Sequence, residues 1–144
     1  MQKKIVITGG EGRFAQVLKR DNKKLNILYP SKKELNILSI NSINKYLKKN
    51  KPKYLIHAAA LSRPMNIHDK QISKSIDLNI IGTANIVKVC SELKIKLIYF
   101  STGYVYEGKI GNYKEVDPVL PVNNYAWSKL GGECAVTMYK NSLI

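Results

Sequence analysis

Apolar residues come in two rhythms along this chain. Lys4 to Thr8, Leu25 to Tyr29, Tyr54 to His57 and Lys96 to Phe100 are short runs rich in β-branched and aromatic side chains, which predict four buried strands. The stretches between them carry apolar residues every three or four positions. Helical spacing begins at Gln16-Val17-Leu18-Lys19, a second helix capped by Asn41 or Ser42 runs to about Lys49, and a long helix spans Ile72 to Leu93. A last helix starts at Tyr125. Ser62 to Lys70 is expected to be loop, because Pro64 interrupts any helix there, and Glu107 to Asn124, with Pro118 and Pro121, is another. Strands alternating with helices predict an α/β fold built on a parallel sheet, with residues 1–144 forming one domain.

The turns at the strand ends carry the candidate chemistry. The first strand runs into Gly9-Gly10-Glu11-Gly12-Arg13-Phe14-Ala15 and then a helix. Strand, Gly-rich turn and helix N-terminus, in that order, make a dinucleotide site. Glycines let the backbone approach a pyrophosphate, and the helix end offers free amides and a positive dipole. The second strand ends in Pro30-Ser31-Lys32-Lys33, where an acidic residue would hold a ribose 2′-hydroxyl. A small hydroxyl followed by cations suits a 2′-phosphate, so NADP(H) is favoured and NAD(H) possible. Ala58, Ala59 and Ala60 end the third strand with side chains small enough for a ligand to touch backbone. Asn79 lies among apolar neighbours and must find partners, as a structural bridge or as part of the site. Ser101 and Thr102 place hydroxyls at the end of the fourth strand.

Tyr125 and Lys129 stand four residues apart, on one helix face. A tyrosine titrates near ~10, and bringing it to about 7 takes roughly 4 kcal/mol. A unit charge at about 4 Å in an effective dielectric of about 20 supplies roughly that much, before burial opposes it. The pair is therefore a candidate proton donor and acceptor at neutral pH.

Composition narrows the classes. A 44% hydrophobic content fits a globular domain, and no apolar run is long enough to span a membrane. No secretory pattern opens the chain, and Cys90 and Cys134, both in predicted helices, are expected to be buried thiols, so a cytoplasmic setting is expected. His57 and His68 are the only histidines, without metal-ligand spacing. The net charge of +14 raises nucleic acid as a partner, but the excess is lysine spread along the sequence, with Arg13, Arg20 and Arg63 the only arginines. Neither nucleic acid nor membrane is expected as a partner.

Five motifs in order resemble the extended short-chain dehydrogenase/reductase superfamily, and within it the dTDP-4-dehydrorhamnose reductase branch of nucleotide-sugar enzymes. They are Thr8 to Ala15, His57 to Ala60, Asn79-Ile80-Ile81-Gly82-Thr83, Ser101 to Tyr106, and Asp117 to Pro121 leading to Tyr125-Ala126-Trp127-Ser128-Lys129 with Gly132-Glu133. The resemblance implies a Rossmann-like doubly wound sheet. It implies that Gly12, Arg13 and Phe14 approach the pyrophosphate and that Asn36 and Ile37 contact adenine; Gly9, Ser31 and Lys32, read from their own chemistry, are expected beside them at the cofactor. It also implies that Ala58, Ala59 and Ala60 line the cofactor, and Asn79 is kept as a further candidate there. Thr102 would bind the substrate oxygen, Tyr125 exchange its proton, and Lys129 hold the nicotinamide ribose and tune Tyr125. The implied reaction passes a hydride between nicotinamide and a sugar carbon, as reduction or as epimerisation.

Gly103 stands where the branch commonly carries an acidic residue. Family members also run on for roughly as many residues again, so the substrate lobe is expected to be lacking here. A non-catalytic NADP-binding regulatory subunit, as a resemblance to methionine adenosyltransferase β-subunits permits, and a cofactor-binding piece needing a partner chain are the other readings. With nothing after the last helix to pair with the fourth strand, that strand is expected to be an open apolar edge. Self-association through it, or through the helices around Asn79 and Tyr125, is expected to follow.

Overall fold

In the computed structural model, which describes residues 3–144, the β-branched runs become the middle of one parallel sheet. Its strands are β1 (Ile5–Thr8), β2 (Ile27–Leu28), β3 (Tyr54–His57), β4 (Lys96–Tyr99) and β5 (Ser142–Leu143), in the order β2-β1-β3-β4-β5. The chain leaves β1 for one side and returns for β3 on the other, so the switch point lies between the C-terminal ends of β1 and β3. In register, Val6 lies beside Leu55 and Leu55 beside Leu97. All three are fully buried against Ile43, Leu47, Ile86, Val89 and Val136 of the helices α2 (Ile40–Asn50), α5 (Gly82–Glu92) and α6 (Asn124–Thr137). The other side of the sheet carries α1 (Arg13–Asp21), whose Phe14 ring meets Phe100 edge-on at 4.8 Å.

Several expectations need correction. The second strand shortens to Ile27–Leu28, because the Asn22 side chain bonds the amides of Lys24 and Leu25 and the Leu25 carbonyl, holding them in a turn. Helix α2 starts earlier than expected: Ser39 is its cap, accepting from the Ser42 amide, while the Ser42 hydroxyl accepts from Asn36. Part of the predicted loop after Ser62 is the short helix α3 (Ile67–Lys70). Pro64 precedes that helix and its carbonyl accepts the Ile67 amide, so it starts the turn that it was expected to prevent.

The long helix divides into α4 (Ile72–Ser75), a π-helical segment Ile76–Ile81, and α5. Cys90 is buried, with burial pushing its thiol up to about 12, but Cys134 is exposed on α6. The edge of β4 is also not open. Leu97 and Ile98 pair with Ser142 and Leu143 of β5, a strand too short to announce itself by pattern. Nor is β4 covered on both faces: Leu97 and Tyr99 are buried, Ile98 is half-buried and Phe100 is 40% exposed.

Candidate functional site

The site is built from strand ends. Gly9 adopts φ +72°, and a Cβ there would stand 3.0 Å from the Ala59 Cα. A Cβ on Gly10 would fall 2.6 Å from the Tyr29 and Pro30 carbonyls. The turn therefore passes close to two neighbouring strand ends only as glycine. Gly12 then caps α1 without a side-chain hydrogen bond, leaving the helix's first amides free for an anion.

Two hollows meet at this turn. One, of about 240 Å³, is lined by Gly9, Gly12, Lys32, Asn36, Ile37 and Ala59, with Leu35 and Leu78 supplying an apolar floor. The other, of about 530 Å³, continues past Arg13, Phe14, Ala58, Ala60, Ser62 and Arg63. They share Gly9, Gly12 and Ala60, so the groove runs on across the switch point. A free helix end beside a glycine turn, with a flat apolar slot at one side, fits an extended dinucleotide.

At the ribose position two carboxylates appear that were not expected. The Ser31 amide and hydroxyl both donate to Glu34 Oε2, at 2.8 and 2.9 Å, and the Lys32 amide donates to Glu11 Oε2 at 3.2 Å. Ser-x-x-Glu is a capping-box pattern, so the Ser31 to Glu34 bond was visible in the sequence; the Glu11 contact joins two distant turns and was not. Lys32 lines the groove, whereas Lys33 is exposed outside it.

Beneath the groove lies a buried polar chain. Thr8 Oγ1 accepts the amides of Ala58 and Ala59, at 3.2 and 3.1 Å, so its proton goes to His57 Nδ1 at 2.7 Å. His57 Nε2 then donates to Thr83 Oγ1 at 3.1 Å, which donates to the Asn79 carbonyl at 2.8 Å. Burial, with the Lys129 charge adding to it, pushes His57 down to about 3 and keeps it neutral. Asn79 is the bridge: its side chain bonds the Leu61 amide and carbonyl at 2.7 and 2.8 Å and donates to Ser128 Oγ at 2.8 Å. Ser128 in turn donates to the Tyr125 carbonyl at 2.7 Å. The amide is engaged by protein groups, so Asn79 positions the site instead of lining the groove.

Thr102, Tyr125 and Lys129 are brought to one region, with Thr102 at the end of β4 and the others on α6, which Asn123 caps. The Tyr125 phenol lies near the Thr102 hydroxyl, and its ring packs on His68 at 5.0 Å. Burial raises the phenol above its ordinary value, and the nearby Thr102 hydroxyl and the Arg63 charge offset that rise only partly. Lys129 is buried, donates from Nζ to the Phe100 carbonyl at 2.6 Å and sits 4.1 Å from the centre of the Tyr99 ring. Burial drops Lys129 to about 8, with Glu133 opposing the fall. The expected lowering of Tyr125 by Lys129 is therefore not what the geometry gives: helix spacing sets the shared face, but the ammonium is held by a strand carbonyl.

Residues 3–144 match the family described as RmlD substrate binding domain. Methionine adenosyltransferase 2 subunit beta of Pongo abelii is 27% identical over 143 residues, covering 93% of this chain and 42% of that protein. The dTDP-4-dehydrorhamnose reductase of Aggregatibacter actinomycetemcomitans is 27% identical over 146 residues, covering 98% and 49%. The structure of dTDP-4-dehydrorhamnose reductase from Bacillus anthracis in complex with NADP superposes with a TM-score of 0.92 at 27% identity, covering 99% of this chain and 52% of that one. The chain spans about half the length of the relatives it matches.

Proposed function

The chain belongs to the RmlD substrate binding domain family, and from that premise we propose that it is the cofactor-binding and proton-transfer part of an NADP(H)-dependent nucleotide-sugar reductase or epimerase. The observation that carries this is the groove from the Gly9–Gly12 turn across the switch point, with the Thr102 and Tyr125 hydroxyls near each other beyond the end of β4. Gly9, Gly12 and the first amides of α1 hold the pyrophosphate, Arg13 and Phe14 flank it, and Asn36 and Ile37 border the adenine. Lys32 supports the 2′-phosphate. The NADP in the Bacillus anthracis structure supports that choice over NAD(H).

Bound nicotinamide supplies or accepts the hydride at a sugar carbon. The chain's own part is acid–base work. Thr102 and Tyr125 hold the sugar oxygen, and the Tyr125 phenol delivers its proton there. Lys129, brought down to about 8 by burial, is a neighbouring group whose charge can change near neutrality.

A second reading rests on the relatedness to methionine adenosyltransferase 2 subunit beta, whose name describes a subunit: a domain that binds NADP(H) and serves a partner chain without turnover. One experiment separates the two. The chain is mixed with NADPH and a dTDP-linked 4-keto sugar, and NADPH oxidation is followed for the parent and Tyr125→Phe. Turnover that falls roughly 10²-fold in the variant, with NADPH binding retained, is the expected result. Tight NADPH binding with no turnover in either protein favours the subunit reading. Full activity in Tyr125→Phe overturns the assigned role.

A further inference from the structure

The lysines that are spread along the sequence are not spread over the surface. In a parallel sheet every strand starts at one pole and every crossover helix ends there. Lys4 and Lys53 precede β1 and β3, and Lys96 opens β4; their backbones are joined across the ladder, Lys53 to Lys4 at 2.9 Å and Lys96 to Lys53 at 3.1 Å. The helices add to this end. Lys19 and Arg20 lie in the last turn of α1, Lys48 and Lys49 in that of α2. Lys94 follows α5, and Lys140 precedes β5. Of the ten acidic residues, this pole carries Asp21, which is bonded to Arg20 at 2.7 Å, and Glu92. Most of the others, including Glu11, Asp69 and Asp117, lie toward the groove end and offset its cations, while Glu34 lies within reach of the Lys49 charge. The excess charge of the molecule is thus concentrated on the face farthest from the groove.

Helix-end lysines complement helix dipoles. That accounts for Lys48 and Lys49 but not for the lysines at the strand starts. It also does not account for the backbone at Lys51 and Lys94, which sit at φ 47° and 57° after helices, where glycine is the preferred residue. Charge is kept at two positions where the backbone favours losing it. Between them opens a shallow cleft of about 290 Å³, lined by Leu47, Lys48, Lys51, Pro52, Leu93 and Ile95.

We propose that this pole is a docking surface for an acidic segment of a partner protein, with one apolar side chain seated in the Leu47–Ile95 cleft and carboxylates on the surrounding lysines. The chemistry selects that occupant. The cleft wall is aliphatic and gives a nucleic-acid base no aromatic face to stack on. It is also concave, so it receives a side chain, whereas a membrane surface would be met by protruding ones. Charge around an apolar anchor is the arrangement that steers and then holds a partner.

The test uses a fluorescent acidic peptide with a single central leucine, titrated by anisotropy at low and moderate salt. Its companions are the same peptide with serine for leucine, a labelled single-stranded DNA, and vesicles containing phosphatidylserine. The variant is Lys51→Gly combined with Lys94→Gly. The leucine peptide is expected to bind the parent, to weaken with salt, and to lose roughly tenfold affinity with the serine exchange and with the variant. The melting temperature of the variant is expected to hold or rise, because glycine suits both backbone positions. Equal binding by the variant, equal binding of the serine peptide, tighter binding of the DNA or the vesicles, or a variant that melts lower would each overturn the proposal.

Discussion

Glu11 joins the Gly-rich turn to the Lys32 amide and lines the same end of the groove as Lys32. A 2′-phosphate arriving there meets a cation and an anion together. At about 8 Å in an effective dielectric of about 40, a unit charge repels another by about 1 kcal/mol. Glu11→Gln is therefore expected to tighten NADPH roughly fivefold relative to NADH, and Lys32→Ala to shift the ratio the other way, in fluorescence titrations at fixed salt. A ratio unmoved by either change would remove the cofactor preference. Lys129 offers a second residue-level measurement. Its folded value of about 8 lies below the ordinary 10.5, so between those pH values the unfolded chain binds the extra proton and folding stability rises with pH. Lys129→Met removes that dependence. Its stability relative to the parent should fall by about 2 kcal/mol from pH 7 to pH 10, read from paired urea unfolding curves. A difference that stays flat over that range would mean that the ammonium is not buried in solution.

At the scale of elements, the π-helical segment Ile76–Ile81 presents Asn79 to Leu61 on one side and to Ser128 of α6 on the other. Asn79→Ala breaks these bonds and strands the partners, which should cost roughly 2–3 kcal/mol. It should lower the urea midpoint with an unchanged slope; a loss below about 1 kcal/mol would show that the loop and helix are held by packing alone. The same elements show what the sequence can disclose. β1, β3 and β4 were legible because their runs depend on residue type alone, and the Gly9–Gly12 turn because glycine there answers a steric demand that the strand before it already implies. The π segment was not, since its apolar spacing matches that of an ordinary helix. β5 has only Ser142 and Leu143 and exists because β4 offers an edge. In the site, Tyr125 and Lys129 were found by spacing, but the acceptor of Lys129 is a strand carbonyl, and no pattern names one. The buried links from Thr8 through His57 to Thr83 join residues distant in sequence, and no local pattern announces them.

For the molecule as a whole, β5 pairs with β4 and the sheet ends in the two-residue strands β2 and β5, so the broader apolar surface open to self-association is helical. Ile72 is 55% exposed, Ile76 41% and Trp127 52%, around a hollow that also includes Ile80 and Asn124. The chain is expected to gain mass with concentration in sedimentation, and Trp127→Glu to abolish the gain. A parent that sediments as a monomer at every concentration would refute association through this face. The strand order has one more consequence, in time instead of space. After β2, each strand docks on the growing edge: β3 on the free side of β1, β4 beside β3, β5 beside β4. A ribosome delivering this chain from its N-terminus delivers the strands in docking order, so no early strand has to be displaced to admit a later one. The glycine turn and Ala58–Ala60 come together with the third strand, while the tyrosine and lysine arrive only with α6. The glycine-lined groove is thus assembled during synthesis before the Tyr125 and Lys129 region is.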